Sequence, residues 1–285
     1  MFDTWQLNLI LFYLSVVIFI QCYKVAIKNV TNDGAATMLI QSIAGISVLA
    51  LVPFLPLQKP EKLGTFFLLG AACIFYAIND RLQMTARKNL DVSTFSVIGQ
   101  LTTVFVIIYG LTIFREPTSL MKLAGATLII VANALIFYRP GKHKIEINKY
   151  SILAMCAALA FATALSIDIN ISKDFNLPLY ISLTMLIPAV IIGMSGRISP
   201  LASVSELKKG NPALFVITGV AWSLSIFFSL RAFRFGHVNS IITLEAVAVI
   251  LNVLAAYIFL KERDKPFRKI SAAILIIIGV LLTTL

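Results

Sequence analysis

The stretch NLDVSTFSVIGQLTTVFVIIYGLTIFRE, residues 89–116, aligns without a gap on FGHVNSIITLEAVAVILNVLAAYIFLKE, residues 235–262. The shift of 146 residues carries Glu116 onto Glu262, Ala86 onto Ala232 and Val92 onto Val238. In each copy a lone Glu closes an apolar run, a basic residue follows, and one more apolar run begins. Apolar helices resemble one another by composition alone, but composition does not place a Glu at the same point of both.

Outward from this pair, the chain divides into ten mostly apolar stretches, each long enough at about 1.5 Å per residue to cross about 30 Å of hydrocarbon. They cover about 6–28, 34–55, 63–85, 93–114, 118–138, 150–171, 176–195, 212–233, 238–260 and 267–285. Breaker residues fill the gaps: Asn32, Asp33 and Gly34, Pro56 and Pro60, Pro117, Pro140 and Gly141, Pro178, Pro200, Asn211 and Pro212, and Pro266. The longest gaps, 139–149 and 196–211, are expected to be hairpin loops. A duplicated unit with an odd number of spans must enter the membrane from opposite sides in its two copies. The fold expected is therefore an all-α integral membrane protein of ten transmembrane helices in a 5+5 inverted repeat. Residues 1–140 form one half and 149–285 the other, within a single transport domain.

Composition agrees. Of 285 residues 59% are hydrophobic and 13% charged, with mean hydropathy +0.92, against roughly half and a quarter in soluble domains. The net charge of +11 sits mainly in the gaps, at Arg139, Lys142 and Lys144, at Lys208 and Lys209, and from Lys261 to Lys269. No basic and aromatic stripe accompanies it, which speaks against nucleic acid and for lipid head groups. Cys22, Cys73 and Cys156 have no CxxC spacing, and His143 and His237 lie far apart, so neither a disulfide framework nor a metal or other cofactor is expected. The opening MFDTWQLNLI lacks the basic region and cleavage site of a signal peptide, so the first apolar run is expected to remain as a span. The sequons at Asn29 and Asn170 lie at span ends, too near the bilayer for easy modification.

Charges within spans cost several kcal/mol unless relieved, so they mark candidate sites. Tyr76, Asp80 and Gln83 share one face of the third span, while Arg81 points about 100° away, so Asp80 and Arg81 must each find a partner elsewhere. The competing reading ends that span early and lets Arg81 snorkel. Glu245 lies inside the ninth span, equivalent by the shift to Gly99 beside Gln100. It is either a proton- or cation-coupling group or the partner of a base such as Arg231 or Arg81. Trp222, inside the eighth span, is the leading aromatic candidate for a cavity wall. The substrate-binding set is thus Tyr76, Asp80, Arg81, Gln100, Trp222 and Glu245, with Tyr23, Lys24, Asp168 and Arg231 as a second tier. For Lys24 and Asp168, near span ends, an interfacial charge is the competing reading. Gly45, Gly70, Gly99, Gly110, Gly125 and Gly219 are read as close helix contacts.

These features resemble the drug/metabolite transporter superfamily, EamA-like ten-helix carriers, over nearly the whole chain. The pattern is carried by LTIFREPTSLMKLAGATLII and YIFLKERDKPFRKISAAILII, and by TLEAV at 243–247, similar to the family's S-L-E-P-V with Ala246 in place of proline. YAINDRLQMTARKNLDVSTFSVIGQL at 76–101 is similar to the nucleotide-sugar transporter branch, but has Asp80 and Arg81 for its paired asparagines and Thr102 for its phosphate-contacting lysine. The resemblance implies a cavity lined by spans 1, 3, 4, 6, 8 and 9, with both termini in the cytoplasm. The positive-inside rule places the basic loops there instead, and the two orientations stand against each other.

The resulting expectation is a secondary carrier in the cell (inner or cytoplasmic) membrane, a monomer or weak homodimer. It would move a small polar organic metabolite, an amino acid or similar, by alternating access, coupled to protons or to exchange. The alternatives are a nucleotide-sugar-like antiporter or a multidrug and cation exporter. An enzyme is disfavoured, because no intramembrane His, paired Asp or Ser-Lys dyad is encoded. The absence of a G-x-x-x-x-G-K-S/T loop leaves a gradient or exchange as the energy source.

Overall fold

In a computed structural model, residues 4–112, 119–139, 144–145, 147–235, 241 and 244–284 are described. Glu116, Pro117, Pro140, Gly141, Lys142, His143, His237 and Thr243 lie outside them. Helices α1 (Trp5–Ala26), α2 (Asp33–Leu49) and α3 (Leu63–Asn89) lead to a fourth span split into α4 (Val92–Gly99) and α5 (Leu101–Thr112). There follow α6 (Leu120–Phe137), α7 (Lys149–Ile171), α8 (Leu177–Ser195), α9 (Pro200–Lys209), α10 (Pro212–Phe235), α11 (Val247–Phe259) and α12 (Pro266–Thr284). Among the described residues nine helices are long and apolar enough to span a membrane, and α11 is a shorter apolar helix in the ninth stretch. This is a multi-span helical membrane protein.

Lipid leaves backbone groups no partner but the chain itself, so the first N–H groups of each span need caps. Asparagines in the gaps supply several of them, Asn32 among the residues read as breakers. Asn32 accepts from Ala35 N at 3.0 Å, Asn148 from Ser151 N at 2.8 Å, and Asn176 from Leu179 N at 3.2 Å. Two gaps hold more than hairpins. Residues 196–211 contain α9, started by Ser199, whose Oγ accepts from Ala202 N, and by Pro200 at a position where a missing N–H costs nothing. Within 139–149, β1 (Tyr138–Arg139) pairs antiparallel with β2 (Lys144–Ile145).

The fourth and ninth stretches both break, at equivalent residues. Gln100 O accepts from Thr103 N at 3.1 Å, and Ala246 O accepts from Val249 N at 3.1 Å, a three-residue turn in each case. The break in the fourth span had no counterpart in its uninterrupted hydropathy. The third span runs on to Asn89 rather than ending near residue 85, which puts Arg87 inside a helix.

The main packed pairs are α1 with α10, α3 with α7, α2 with α8 and α6 with α12. Small residues allow the closest of these. A Cβ on Gly125 would stand 2.3 Å from the Gly279 carbonyl oxygen, whereas Gly70 and Gly99 face open space and make no such contact. One apolar cluster joins Phe19, Tyr23, Ile40, Met84, Phe215 and Trp222; another joins Val97, Ile129, Val253 and Ile276. Buried polar side chains lie between them.

Candidate functional site

Asp80 is 2% exposed in α3 and accepts from Gln41 Nε2 of α2 at 2.5 Å, Gln83 Nε2 at 2.5 Å and Asn79 Nδ2 at 2.7 Å. Three amide donors replace the water that the carboxylate gave up. Two turns further along α3, Arg87 donates from Nε to Gln83 Oε1 at 3.1 Å. Its guanidinium carbon lies 5.2 Å, 5.0 Å and 4.3 Å from the ring centroids of Phe19, Tyr23 and Phe95. Lys24 comes alongside from α1, and its ammonium donates to the carbonyls of Arg87 at 2.7 Å, Lys88 at 3.0 Å and Leu90 at 2.6 Å, closing the end of α3. A narrow cleft of about 10 Å³ between α1, α3 and α4 is lined by Ile20, Tyr23, Lys24, Arg87, Val92 and Phe95.

The second polar region joins α1 to the ninth stretch. Tyr13 donates to the Leu244 carbonyl, and Gln21 Nε2 to the Asn252 carbonyl at 3.3 Å. Glu245, in the helical turn just before the break at Ala246, takes a hydrogen bond from the Ser229 hydroxyl of α10. Its Oε1 is buried without a hydrogen-bond partner among the described residues, as are Gln21 Oε1, Asn252 Oδ1 and Ser96 Oγ. Buried polar atoms in native structures are overwhelmingly paired, so a group of unpaired ones along α1, α4 and the ninth span marks a place where water or solute belongs.

Other sequence candidates fall elsewhere. Asp168 of α7 accepts from Tyr76 of α3 at 2.5 Å and from Tyr180 of α8, so all three helices are pinned to one carboxylate. Tyr76 therefore turns toward Asp168, and the face it shares with Asp80 and Gln83 serves two different partners. Trp222 stacks on Phe19 with ring centroids 5.3 Å apart and lies in the apolar cluster of α1 and α10. Arg231 is buried in α10, its guanidinium 5.8 Å and 5.3 Å from the Phe227 and Phe235 rings. Gln100 is half-buried at the break. Arg81 is exposed, approaches Thr85 Oγ1 at 3.5 Å beside Gly34 at the start of α2, and stands apart from the Asp80 cluster.

Arg87, Gln41, Gln21, Asn252, Tyr13 and Ser229 escaped the sequence reading. A third span read as ending near residue 85 leaves Arg87 outside it, whereas the helix runs to Asn89. Gln21 and Asn252 carried a usable signal, being amides deep in apolar runs.

The end of the bundle bearing the 89–92 turn is tied by polar contacts between the two halves of the chain. Glu262 accepts from Val92 N at 2.7 Å, Ser93 N at 3.1 Å and Ser93 Oγ at 2.6 Å, capping α4 from the far side of the molecule. Lys269, 6% exposed at its side chain, pairs with Asp91 at 2.8 Å and lies 3.9 Å from Glu262. Thr31 and Lys209 meet at Glu206, with Thr31 N at 2.9 Å, Thr31 Oγ1 at 2.7 Å and Lys209 Nζ at 2.8 Å from the carboxylate. Among the described residues, ties between the chain's two halves at the opposite end include Asn176 Nδ2 to the Leu55 and Pro56 carbonyls, at 3.3 Å and 2.8 Å.

Many apolar spans packed around buried charges are an arrangement that a membrane transporter requires. Residues 4–138 match the EamA-like transporter family, and the resemblance to the drug/metabolite transporter superfamily is borne out there. The likeness to the nucleotide-sugar branch gains no support from that match. No curated protein matches the chain significantly in sequence. Among solved structures, one titled only "Crystal structure of protein" superposes with TM-score 0.54 at 12% identity, covering 97% of this chain and 95% of that one. At such identity the likeness is one of fold.

Proposed function

We propose that the protein is a secondary carrier that moves a small polar organic solute across the cell membrane by alternating access, its two five-span halves related by an inverted repeat. The observation that carries this reading is the pair of matched breaks, Thr103 to Gln100 and Val249 to Ala246, 146 residues apart. Discontinuous helices at equivalent points of two repeats are how carriers expose backbone and polar groups at a central site. Exchanging the first five spans for the last five also maps the helix pairs onto one another: α1 with α10 becomes α7 with α3, α2 with α10 becomes α8 with α3, and α5 with α7 becomes α11 with α1. The Glu262 and Lys269 ties would then hold one entrance shut while the other opens. Glu245, half-buried with one carboxylate oxygen buried and unpaired among the described residues, is the group that takes up a proton or a cationic part of the solute.

The test is counterflow. Liposomes holding the purified chain and loaded with unlabelled solute should accumulate the labelled form transiently and saturably. Conductance without saturation would reassign the protein as a channel, and chemical conversion of the solute as an enzyme. A nucleotide-sugar antiporter remains the second reading, and preferential exchange of a nucleoside diphosphate sugar would favour it.

A further inference from the structure

Arg87 is held with unusual care for a residue that closes no ion pair. Phe19, Tyr23 and Phe95 pack about its planar group at 5.2 Å, 5.0 Å and 4.3 Å, and Gln83 fixes its Nε at 3.1 Å. That leaves the terminal amino groups, which make no hydrogen bond to any described residue, at a cleft where Arg87 and Lys24 both line the wall. Every carboxylate near it is engaged already. Asp80 is held by three amides, and Asp33 by Thr85 at 2.7 Å and Lys88 at 3.1 Å. Lys24 spends its three protons on backbone carbonyls, so its charge reaches the cleft but its donors do not. A planar fork with its two outer donors free is shaped for a carboxylate or phosphate, which it grips with two parallel hydrogen bonds.

We infer that the solute carries an oxyanion, a carboxylate or a phosphate, and that Arg87 receives it in the cleft between α1, α3 and α4. This rests on the carrier reading for its meaning but not for its geometry. Aromatic packing alone would explain the rings but not why Arg87, with its terminal donors unbonded to any described residue, lines the cleft. An anionic lipid head group offers the same chemistry, and the test separates the two.

The purified full chain in a phosphate-free maltoside detergent is titrated, by thermal shift, with succinate against succinamide, glucose 6-phosphate against glucose, leucine against leucinamide, and phosphatidylglycerol against phosphatidylcholine. The expected result is that a soluble acid or phosphate stabilises the protein at about 10-fold lower concentration than its neutral partner. Arg87→Gln should erase that preference, and Arg87→Lys, which keeps the charge but not the fork, should retain part of it. Equal behaviour of acid and neutral partners in the wild-type chain, including no response to either, overturns the inference. So does an undiminished preference in Arg87→Gln. A preference confined to phosphatidylglycerol assigns Arg87 to lipid and overturns the solute assignment. If an acid binds through Arg87 yet shows no counterflow, the carrier reading falls and this one stands; saturable counterflow of a neutral solute alone does the reverse.

Discussion

Asp80 and Glu245 are both carboxylates within spans, yet their surroundings differ in kind. Asp80 has a donor for nearly every lone pair it can offer, two from its own helix and one from α2, whereas Glu245 has one hydroxyl and a bare oxygen. The first arrangement fixes a charge and its neighbours in one geometry. The second leaves capacity for a partner that comes and goes, which a carrier needs and a structural group does not.

The contrast is tested hardest at Asp80 itself. Asp80→Ala strands three amide groups in the interior, and the chain should lose about 3–5 kcal/mol of stability or fail to fold, read by thermal melting in detergent. Asp80→Asn, which keeps one acceptor, should lose less. Glu245→Gln should melt close to wild type, yet its solute counterflow should fall by about 10-fold or more. A Glu245→Gln chain with full flux would mean that Glu245 is packing, and a badly destabilised one would make the two carboxylates equivalent after all.

Smaller effects are expected at the closed end. Glu262→Ala removes the acceptor that caps α4 and leaves buried Lys269 with Asp91 alone, so about 1–2 kcal/mol should be lost in thermal melting. Unchanged stability would show that the tie between the halves is cosmetic. The smallest effect concerns pH. Burial at Glu206 is outweighed by hydrogen bonds from Lys209 and Thr31, which hold its carboxyl below its usual range. A carboxylate so lowered stabilises the fold above its unfolded value and loses that contribution as pH falls through the folded one. Melting midpoints followed from about pH 6 to 3 should therefore drop more steeply in wild type than in Glu206→Gln. Parallel profiles would remove Glu206 from the clasp.

Arg81→Ala belongs at the bottom of the same scale. The sequence made Arg81 a site residue as a charge within the third span that must find its own partner, but the structure leaves it exposed near Thr85. Counterflow by Arg81→Ala should stay within about twofold of wild type.

The apolar stretches and most of the breakers between them were legible in the sequence, because lipid demands long apolar runs whose ends need Asn, Ser or Pro, whereas the end of the third span was not. The correspondence between the fourth and ninth stretches was legible too, since it is a matter of register. Hydropathy does not reveal which way a polar side chain turns or what meets it there. Only packing in three dimensions turned Tyr76 to Asp168, Asp80 to Gln41, and Arg87 into a box of three rings. Those partners lie tens of residues away, and hydrogen bonds act over about 3 Å of space whatever the separation along the chain.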